Sequence, residues 1–199
     1  MQKKALIIFV RHPELGKVKT RLAKDIGDAA ALSVYQRLLA HTHKITALLS
    51  CDKFVYYTDN IMDEDLWSEG GFIKKQQHGG DLGRRMNNAF EELFGKGYER
   101  IVIIGSDCPE ITTDLLNQAF SLLCTKEAVI GPSHDGGYYL LGLTRLIPGI
   151  FENKSWSSEY VFNETMATLC AENCTYEILP VLRDVDRAED LEWMKGHDQ

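Results

Sequence analysis

Residues 101–109 read Ile-Val-Ile-Ile-Gly-Ser-Asp-Cys-Pro, an apolar run that is followed closely by a carboxylate. A short continuous run of β-branched residues is typical of a strand that is buried on both faces of a sheet. Similar runs alternate along the chain with longer amphipathic stretches, and this alternation indicates βαβ units. The sequence therefore predicts an α/β protein with a mostly parallel sheet.

The elements that surround this run can be placed along the whole chain. The predicted strands are Ala5–Val10, Phe54–Thr58, Phe72–Lys75, Arg100–Gly105, Ala128–Gly131, Tyr138–Gly142 and Tyr176–Leu179. The predicted helices begin at capping residues, namely Asp28, Asp81, Thr112, Ser157 or Ser158, and Asp186 paired with Glu189. No linker or repeat interrupts the pattern, so residues 1–199 are expected to form one domain.

The charge and composition of the chain exclude several classes of protein. Lys and Arg number 22 against 29 Asp and Glu, which gives a net charge of -7 and argues against binding to nucleic acid. No run approaches the roughly 20 apolar residues that span a bilayer, so we expect a cytoplasmic protein without a membrane span. The five cysteines contain no Cys-x-x-Cys pair, which argues against a structural zinc site.

A basic segment contrasts with this acidic average. It contains one acid, Glu14, beside the cations Arg11, Lys17, Lys19, Arg21 and Lys24. Because the segment follows the first predicted strand, it falls at the sheet edge where ligands of open α/β folds bind. Guanidinium and ammonium groups match phosphate oxygens, so the segment is a candidate phosphate site, although it contains no Walker A motif. The alternative is a solvated loop whose cations offset nearby acids.

Acidic side chains follow the later strands. Asp107 comes just after the fourth predicted strand, and one or two carboxylates suffice to hold Mg²⁺ together with substrate phosphates. Asp186 follows the last strand as a candidate second ligand, with Asp184 as its substitute. The alternative for Asp107 is a turn residue before Pro109, and the alternative for Asp186 is a helix cap.

Two glycine-rich segments lie next to other predicted strands, one after the third strand and one before the sixth. Residues 77–86 contain a glycine pair before Asp81, and the spacing leaves open whether Arg84 or Arg85 faces the site. Residues 135–137 read Asp-Gly-Gly and precede an aromatic strand. Glycine pairs allow the backbone to approach a small molecule closely, and the carboxylate at residue 135 can accept bonds from hydroxyl groups or act as a base.

Five motifs follow one another along the chain: Gly-x-x-Lys-Thr-Arg-Leu at 16–22, Gly-Asp-Leu-Gly-x-Arg-Met at 80–86, Gly-Ser-Asp-Cys-Pro at 105–109, Asp-Gly-Gly-Tyr-Tyr at 135–139 and Arg-Asp-Val-Asp at 183–186. Taken in this order, they resemble a bacterial family of proposed glycosyltransferases with the GT-A, or nucleotide-diphospho-sugar transferase, fold. The resemblance implies a Rossmann-like three-layer α/β/α sandwich, a nucleotide bound by the first loop, and Mg²⁺ or Mn²⁺ bound at Asp107. Because the usual Asp-x-Asp is reduced here to Ser-Asp-Cys, the second metal ligand is expected from Asp186.

The resemblance also implies a role for each residue. Transfer of a sugar from a nucleotide-diphospho-sugar to a small acceptor would use Arg21, Asp107 and Asp135 as catalytic residues. The nucleotide would be bound by residues of several loops: Arg11, Gly16, Lys19, Thr20, Arg21, Gln77, Gly80, Asp81, Gly83, Arg85, Gly136 and Gly137.

Two alternatives remain open. The first loop also looks like that of nucleotidyltransferases on the same fold, including molybdenum-cofactor and phospholactate guanylyltransferases, which couple a nucleoside triphosphate to a phosphorylated small molecule and release pyrophosphate. The density of Lys17, Lys19 and Arg21 suits that leaving group. To a smaller extent, the broken Asp-x-Asp favours a catalytically silent nucleotide-binding protein.

Overall fold

The computed structural model describes residues 3–195 and contains a seven-stranded sheet between helices. The strands are β1 Lys4–Val10, β2 Asp52–Tyr57, β3 Phe72–Gln76, β4 Arg100–Ile104, β5 Ala128–Pro132, β6 Tyr138–Leu143 and β7 Tyr176–Ile178. The helices are α1 Thr20–Ile26, α2 Asp28–Ala47, α3 Leu82–Gly95, α4 Thr113–Leu122, α5 Val161–Ala171 and α6 Ala188–Lys195, with a 3₁₀ turn at Leu66–Ser68. Every predicted strand is present. The expected domain of residues 1–199 extends beyond the described residues at both ends.

The sheet is mixed and mostly parallel, as predicted. Its strand order is β3-β2-β1-β4-β6-β5-β7, and β6 runs antiparallel to both β4 and β5. The chain moves outward from β1 to β2 on one side and returns to β4 on the other, so the order reverses between β1 and β4. Ile8 of β1 pairs with Ile104 of β4, which brings the loops after both strands to the same edge. Ligands of such sheets bind at this reversal.

Side chains on the central strands alternate between two cores. Leu6 and Ile8 pack with α2 and α4 on one face, whereas Ala5 and Ile7 pack with α3 and α5 on the other. All four of these β1 side chains are fully buried, which explains the continuous apolar run of the strand. The result is the three-layer α/β/α sandwich that the family resemblance implies. No helix within residues 3–195 is long and apolar enough to cross a membrane.

Helix α1 overlaps the end of the basic segment, where the sequence analysis predicts no helix. It has seven residues, and Lys19 at its N-terminal boundary makes no capping hydrogen bond through its side chain. The next helix, α2, includes Asp28 as its first residue, and Gly27 takes the capping position expected for that aspartate. The caps expected at Asp81 and Thr112 are both confirmed, since each side chain accepts a backbone N–H of its helix.

Two helix starts differ from the sequence-based expectation. Helix α5 begins at Val161 rather than at Ser157 or Ser158, because the preceding residues are held in turns. At α6, the expected capping box of Asp186 with Glu189 is replaced by Asp190. Its carboxylate accepts the N–H groups of Asp186 and Arg187 at 2.9 and 2.8 Å. The Asp186 side chain is thereby left for another contact.

Candidate functional site

A pocket of about 680 Å³ opens at the carboxyl edge of the sheet, around the ends of β1 and β4. Its volume lies within the range of roughly 300–1,000 Å³ that is usual for small-molecule sites. The predicted site residues that line it are Arg11, Lys19, Thr20, Arg21, Gln77, Asp81, Arg85, Asp107, Asp135, Gly137 and Asp186. The structure therefore brings most of the predicted residues to one place.

An ion pair joins the basic segment to the loop after β4. The Lys19 ammonium lies 2.9 Å from Asp107 Oδ1. The lysine side chain is only 5% exposed, whereas the aspartate side chain is 48% exposed, so the pair is buried on its cationic side. Lys19 adopts a left-handed backbone conformation, with φ 48° and ψ 43°. The segment and the carboxylate, which are distant in the sequence, meet in one site.

A second ion pair links α1 to the segment before α6. Arg21 Nη1 lies 2.9 Å from Asp186 Oδ2, and both side chains are substantially exposed. The carboxylate that was expected to share a metal ion with Asp107 thus has a guanidinium as its partner in this structure.

Asp184 interacts electrostatically with the acidic side chains of the pocket. Burial raises its pKa to about 7, and the charges of Asp107 and Asp135 add to this rise. Lys19 acts in the opposite direction, as does a hydrogen bond with the Cys108 thiol. Three acidic groups therefore influence one another at this edge of the sheet. Asp184, the substitute in the sequence-based hypothesis, is one of them.

Asp135 is oriented by its own loop. Its Oδ1 accepts hydrogen bonds from the Ser133 hydroxyl and from the Gly137 N–H, the latter at 3.0 Å. Both donors are within two residues of the carboxylate, so the turn between β5 and β6 fixes the side chain. The Asp135 side chain lines the pocket at the end of β5.

Tyr35 of α2 lines the pocket, although the sequence analysis does not single it out. Its hydroxyl accepts a hydrogen bond from the Arg11 N–H at 2.9 Å and lies 3.4 Å from Ser106 Oγ. Burial raises the pKa of Tyr35 to about 12, and the charge of Asp107 contributes to the rise. The tyrosine therefore stays protonated and connects the loops after β1 and β4.

The β3–α3 connection contributes residues that are already engaged with the protein. The Gln77 amide nitrogen donates to the Tyr56 carbonyl oxygen at 2.9 Å. Asp81 caps α3 by accepting the Arg84 N–H at 2.8 Å. Arg85, rather than Arg84, lines the pocket, which settles the alternative that the spacing left open. Gln77 and Asp81 therefore make hydrogen bonds within the protein and also line the pocket.

Four glycines of the predicted set do not line the pocket. A Cβ at Gly83 would lie 2.6 Å from the Phe151 carbonyl oxygen and from the Trp156 ring, and a Cβ at Gly136 would lie 2.2 Å from the Glu159 carbonyl oxygen. These two glycines therefore serve close packing within the protein rather than close contact with a ligand. Gly16 adopts a φ of +74°, and Gly80 has open space around it.

The segment before α5 forms a wall that the sequence does not reveal. Trp156, Ser157 and Ser158 line the pocket, and Ser157 has a φ of 67°. The segment is held by the Ser155 N–H, which donates to Glu164 at 2.7 Å. The sequence analysis places pocket residues just after the strands, because ligands of open α/β sheets bind there. This segment does not follow a strand directly, so that reasoning does not find it.

Within the described part of the chain, no three His, Cys, Asp or Glu side chains are arranged to hold a metal ion by themselves. Asp107, Asp135 and Asp184 are the carboxylates that interact electrostatically there. Mg²⁺ is commonly held by one or two carboxylates together with substrate phosphates, and this donor set fits that mode.

Comparison with solved structures identifies proteins of the same fold. The proposed nucleotide-diphospho-sugar transferase from Desulfovibrio desulfuricans G20 is 30% identical with a TM-score of 0.91, over 100% of this chain and 90% of that chain. The 4-diphosphocytidyl-2C-methyl-D-erythritol synthase from Anaerococcus prevotii DSM 20548 is 12% identical with a TM-score of 0.63, over 98% and 96% of the two chains. A CMP:2-keto-3-deoxy-manno-octonic acid synthetase complexed with CTP is 9% identical with a TM-score of 0.62, over 98% of each chain.

The two more distant similarities show the fold alone. A comparison with curated proteins finds no match. The model of a bacterial family described as uncharacterized protein conserved in bacteria (DUF2064) matches residues 40–158, which is more than half of the sequence. The chain therefore belongs to the DUF2064 family and has the fold of nucleotide-diphospho-sugar transferases.

Proposed function

We propose that this protein is a transferase that moves a sugar from a nucleotide-diphospho-sugar to a small acceptor, with Mg²⁺ or Mn²⁺ bound at Asp107. The observation that carries the proposal is the meeting of the basic segment with three interacting carboxylates in one pocket. The similarity to the Desulfovibrio protein supports the same class of donor.

The cations of the pocket suit the leaving group. Arg11, Lys19 and Arg21 line the pocket and would bind the oxygens of the departing nucleoside diphosphate, whose negative charge grows as the bond to the sugar breaks. When bound, the divalent ion would supply further positive charge to the same oxygens. Asp107, with Asp184, would hold that ion.

The acceptor hydroxyl requires a base. Asp135 is fixed by Ser133 and Gly137 through one oxygen, which orients its carboxylate in the pocket. It would take the proton of the acceptor hydroxyl as that oxygen bonds to the anomeric carbon and the carbon–diphosphate bond breaks. Trp156, Ser157 and Ser158 offer an aromatic surface and hydroxyl groups for the acceptor.

A second candidate function is nucleotidyl transfer from a nucleoside triphosphate to a phosphorylated small molecule. The observation that favours it is the number of cations in the pocket, which includes Lys17 and Arg85 in addition to the three named above. Pyrophosphate is a highly charged leaving group, and positioned cations stabilise it. The two distant structures have the same fold, and one of them is complexed with the nucleoside triphosphate CTP, which is compatible with this reaction.

Product analysis separates these functions. The protein is incubated with Mn²⁺ and panels of nucleotide sugars and nucleoside triphosphates, and nucleoside diphosphate and pyrophosphate are quantified. Release of nucleoside diphosphate from a nucleotide sugar supports sugar transfer, whereas pyrophosphate release from a triphosphate would replace it with nucleotidyl transfer. Binding without either product would support the catalytically silent alternative. Asp107→Ala should be inactive, and Asp25→Ala, which removes an exposed acid of α1, should retain the activity.

A further inference from the structure

The buried ammonium of Lys19 needs a counter-charge. Its side chain is 5% exposed, so the ammonium has lost most of its contact with water. A buried charge without a partner is strongly unfavourable, and here Asp107 Oδ1 supplies the partner at 2.9 Å. The Lys19 ammonium is thus already paired, and its partner Asp107 is the carboxylate that is assigned to the metal ion.

The backbone holds Lys19 in an unusual conformation. Its φ of 48° is left-handed, a region that residues with a Cβ seldom occupy. Such conformations persist where the surroundings fix them, and they concentrate at functional sites. The residue before α1 is therefore held in a strained conformation while its side chain contacts Asp107.

The ammonium contacts the same carboxylate that is assigned to the metal ion, so the two cations would compete for Asp107. Asp107, Asp135 and Asp184 all line the pocket that Lys19 lines. Arg21, the neighbouring cation, is paired with Asp186 instead. The carboxylates of the site are also not arranged to hold a metal ion by themselves within the described residues.

We propose that Lys19 is the resident cation of the carboxylate site, and that nucleotide binding transfers its ammonium from Asp107 to a phosphate oxygen, which frees Asp107 for the divalent ion. This inference rests on the proposed function, because it assumes that the pocket receives a phosphate group. Lys19 then contacts the nucleotide directly and couples the binding of the two ligands. By linkage, nucleotide then raises the affinity for metal by the same factor as metal raises the affinity for nucleotide.

The binding of Mn²⁺ alone tests the proposal without any nucleotide. Free Mn²⁺ is measured by electron paramagnetic resonance during titration of the wild-type protein, of Lys19→Met and of Lys19→Gly. The glycine variant also relieves the left-handed backbone, so it preserves a folded comparison if the methionine variant is unstable. We expect both variants to bind Mn²⁺ at least about tenfold more tightly than the wild type, because Asp107 loses its ammonium partner.

Removal of a different lysine of the pocket serves as the control. It separates the loss of the Asp107 partner from the general increase in negative charge that the loss of any lysine causes. Lys17 lines the same pocket but pairs with Glu14 at 2.8 Å. Lys17→Met should change Mn²⁺ affinity by less than about threefold, because its ammonium is exposed and screened. Equal Mn²⁺ affinities of the Lys19 variants and the wild type, a weaker affinity, or no binding by any of them would overturn the proposal. Because the titration contains no nucleotide, tighter Mn²⁺ binding without any transferase product would refute the proposed function alone.

Discussion

The Tyr35 hydroxyl accepts a hydrogen bond from the Arg11 N–H at 2.9 Å, and this contact ties helix α2 to the end of β1. The same hydroxyl lies 3.4 Å from Ser106 Oγ, next to Asp107 in the loop after β4. One phenol group therefore spans the two loops that carry the basic and the acidic parts of the pocket. Its removal should affect both stability and ligand binding.

Tyr35→Phe tests this link. The substitution leaves the partly buried Arg11 N–H without its acceptor, so we expect the free energy of unfolding to fall by about 1 to 2 kcal/mol and nucleotide affinity to fall several-fold. Tyr57→Phe is the matched control, because the Tyr57 hydroxyl donates to Asp65 outside the pocket. It should lower stability without a change in nucleotide affinity. Equal nucleotide affinities of Tyr35→Phe and the wild type would show that the link does not serve the site.

The two carboxylates near the C-terminal end of the described chain should differ in function. Asp184→Asn removes a largely buried charge that lies near two other acids, so we expect a higher melting temperature together with loss of metal-dependent nucleotide binding. Asp186→Asn breaks an exposed ion pair with Arg21, and stability should change by no more than about 0.5 kcal/mol. Calorimetric nucleotide titrations of both variants, with and without Mn²⁺, show which of the two carboxylates the metal dependence requires. Loss of the metal dependence in Asp186→Asn alone would restore the original sequence-based assignment.

Gly83→Ala should destabilise the protein and disturb one pocket wall. The added Cβ would lie 2.6 Å from both the Phe151 carbonyl oxygen and the Trp156 ring, so one of them must shift. We expect a loss of about 1 to 3 kcal/mol in the free energy of unfolding, measured in urea. Gly95→Ala in the same helix has open space and should be neutral or stabilising by up to about 1 kcal/mol. Similar losses in the two variants would argue against close packing at Gly83.

Glu92 provides a pH-dependent contribution to stability away from the pocket. Burial opposes its ionisation, but hydrogen bonds from Lys75, Lys96 and Tyr56 lower its pKa to about 2. Since the folded value lies below the ordinary value of 4.5, the contribution is complete above about pH 4.5 and is lost as the pH falls toward about 2.

Glu92→Gln should therefore be less stable than the wild type by about 1 kcal/mol at neutral pH, a value that allows for partial exposure of the carboxylate. The difference should shrink as the pH is lowered through the acid range in urea denaturation. Glu91→Gln, at the exposed neighbouring position of α3, should show no such difference. A difference that stays constant with pH would exclude the charge of Glu92 as its cause.

The sequence predicts the sheet well because buried strands leave a direct signal. Residues 101–104 of β4 are all apolar. A strand that is buried on both faces of a sheet requires such a continuous apolar run. Because ligands bind where parallel strands end, Asp107 and the basic segment could also be placed at one edge without a structure.

Other features depend on contacts that no local pattern encodes. Helix α1 is short, and Lys19 at its N-terminal boundary makes no capping hydrogen bond through its side chain, so propensity and capping rules both miss it. Tyr35 lies within α2, and nothing in the sequence indicates that its hydroxyl contacts the loops after β1 and β4. The pairing of Lys19 with Asp107 joins residues far apart in the chain, and only the folded sheet brings them together.

Nucleotide binding by the intact protein and by Asp107→Asn, each with and without Mn²⁺, tests the central claim most directly. Calorimetric titration with nucleotide sugars and nucleoside triphosphates gives the affinities, and circular dichroism verifies that the variant is folded. We expect the wild type to bind at least one of these nucleotides more tightly by about tenfold or more when Mn²⁺ is present, and the variant to lose that difference. The same affinity with and without Mn²⁺ in the wild type, or an unchanged metal dependence in Asp107→Asn, would contradict the assignment of this pocket as a metal-assisted nucleotide site.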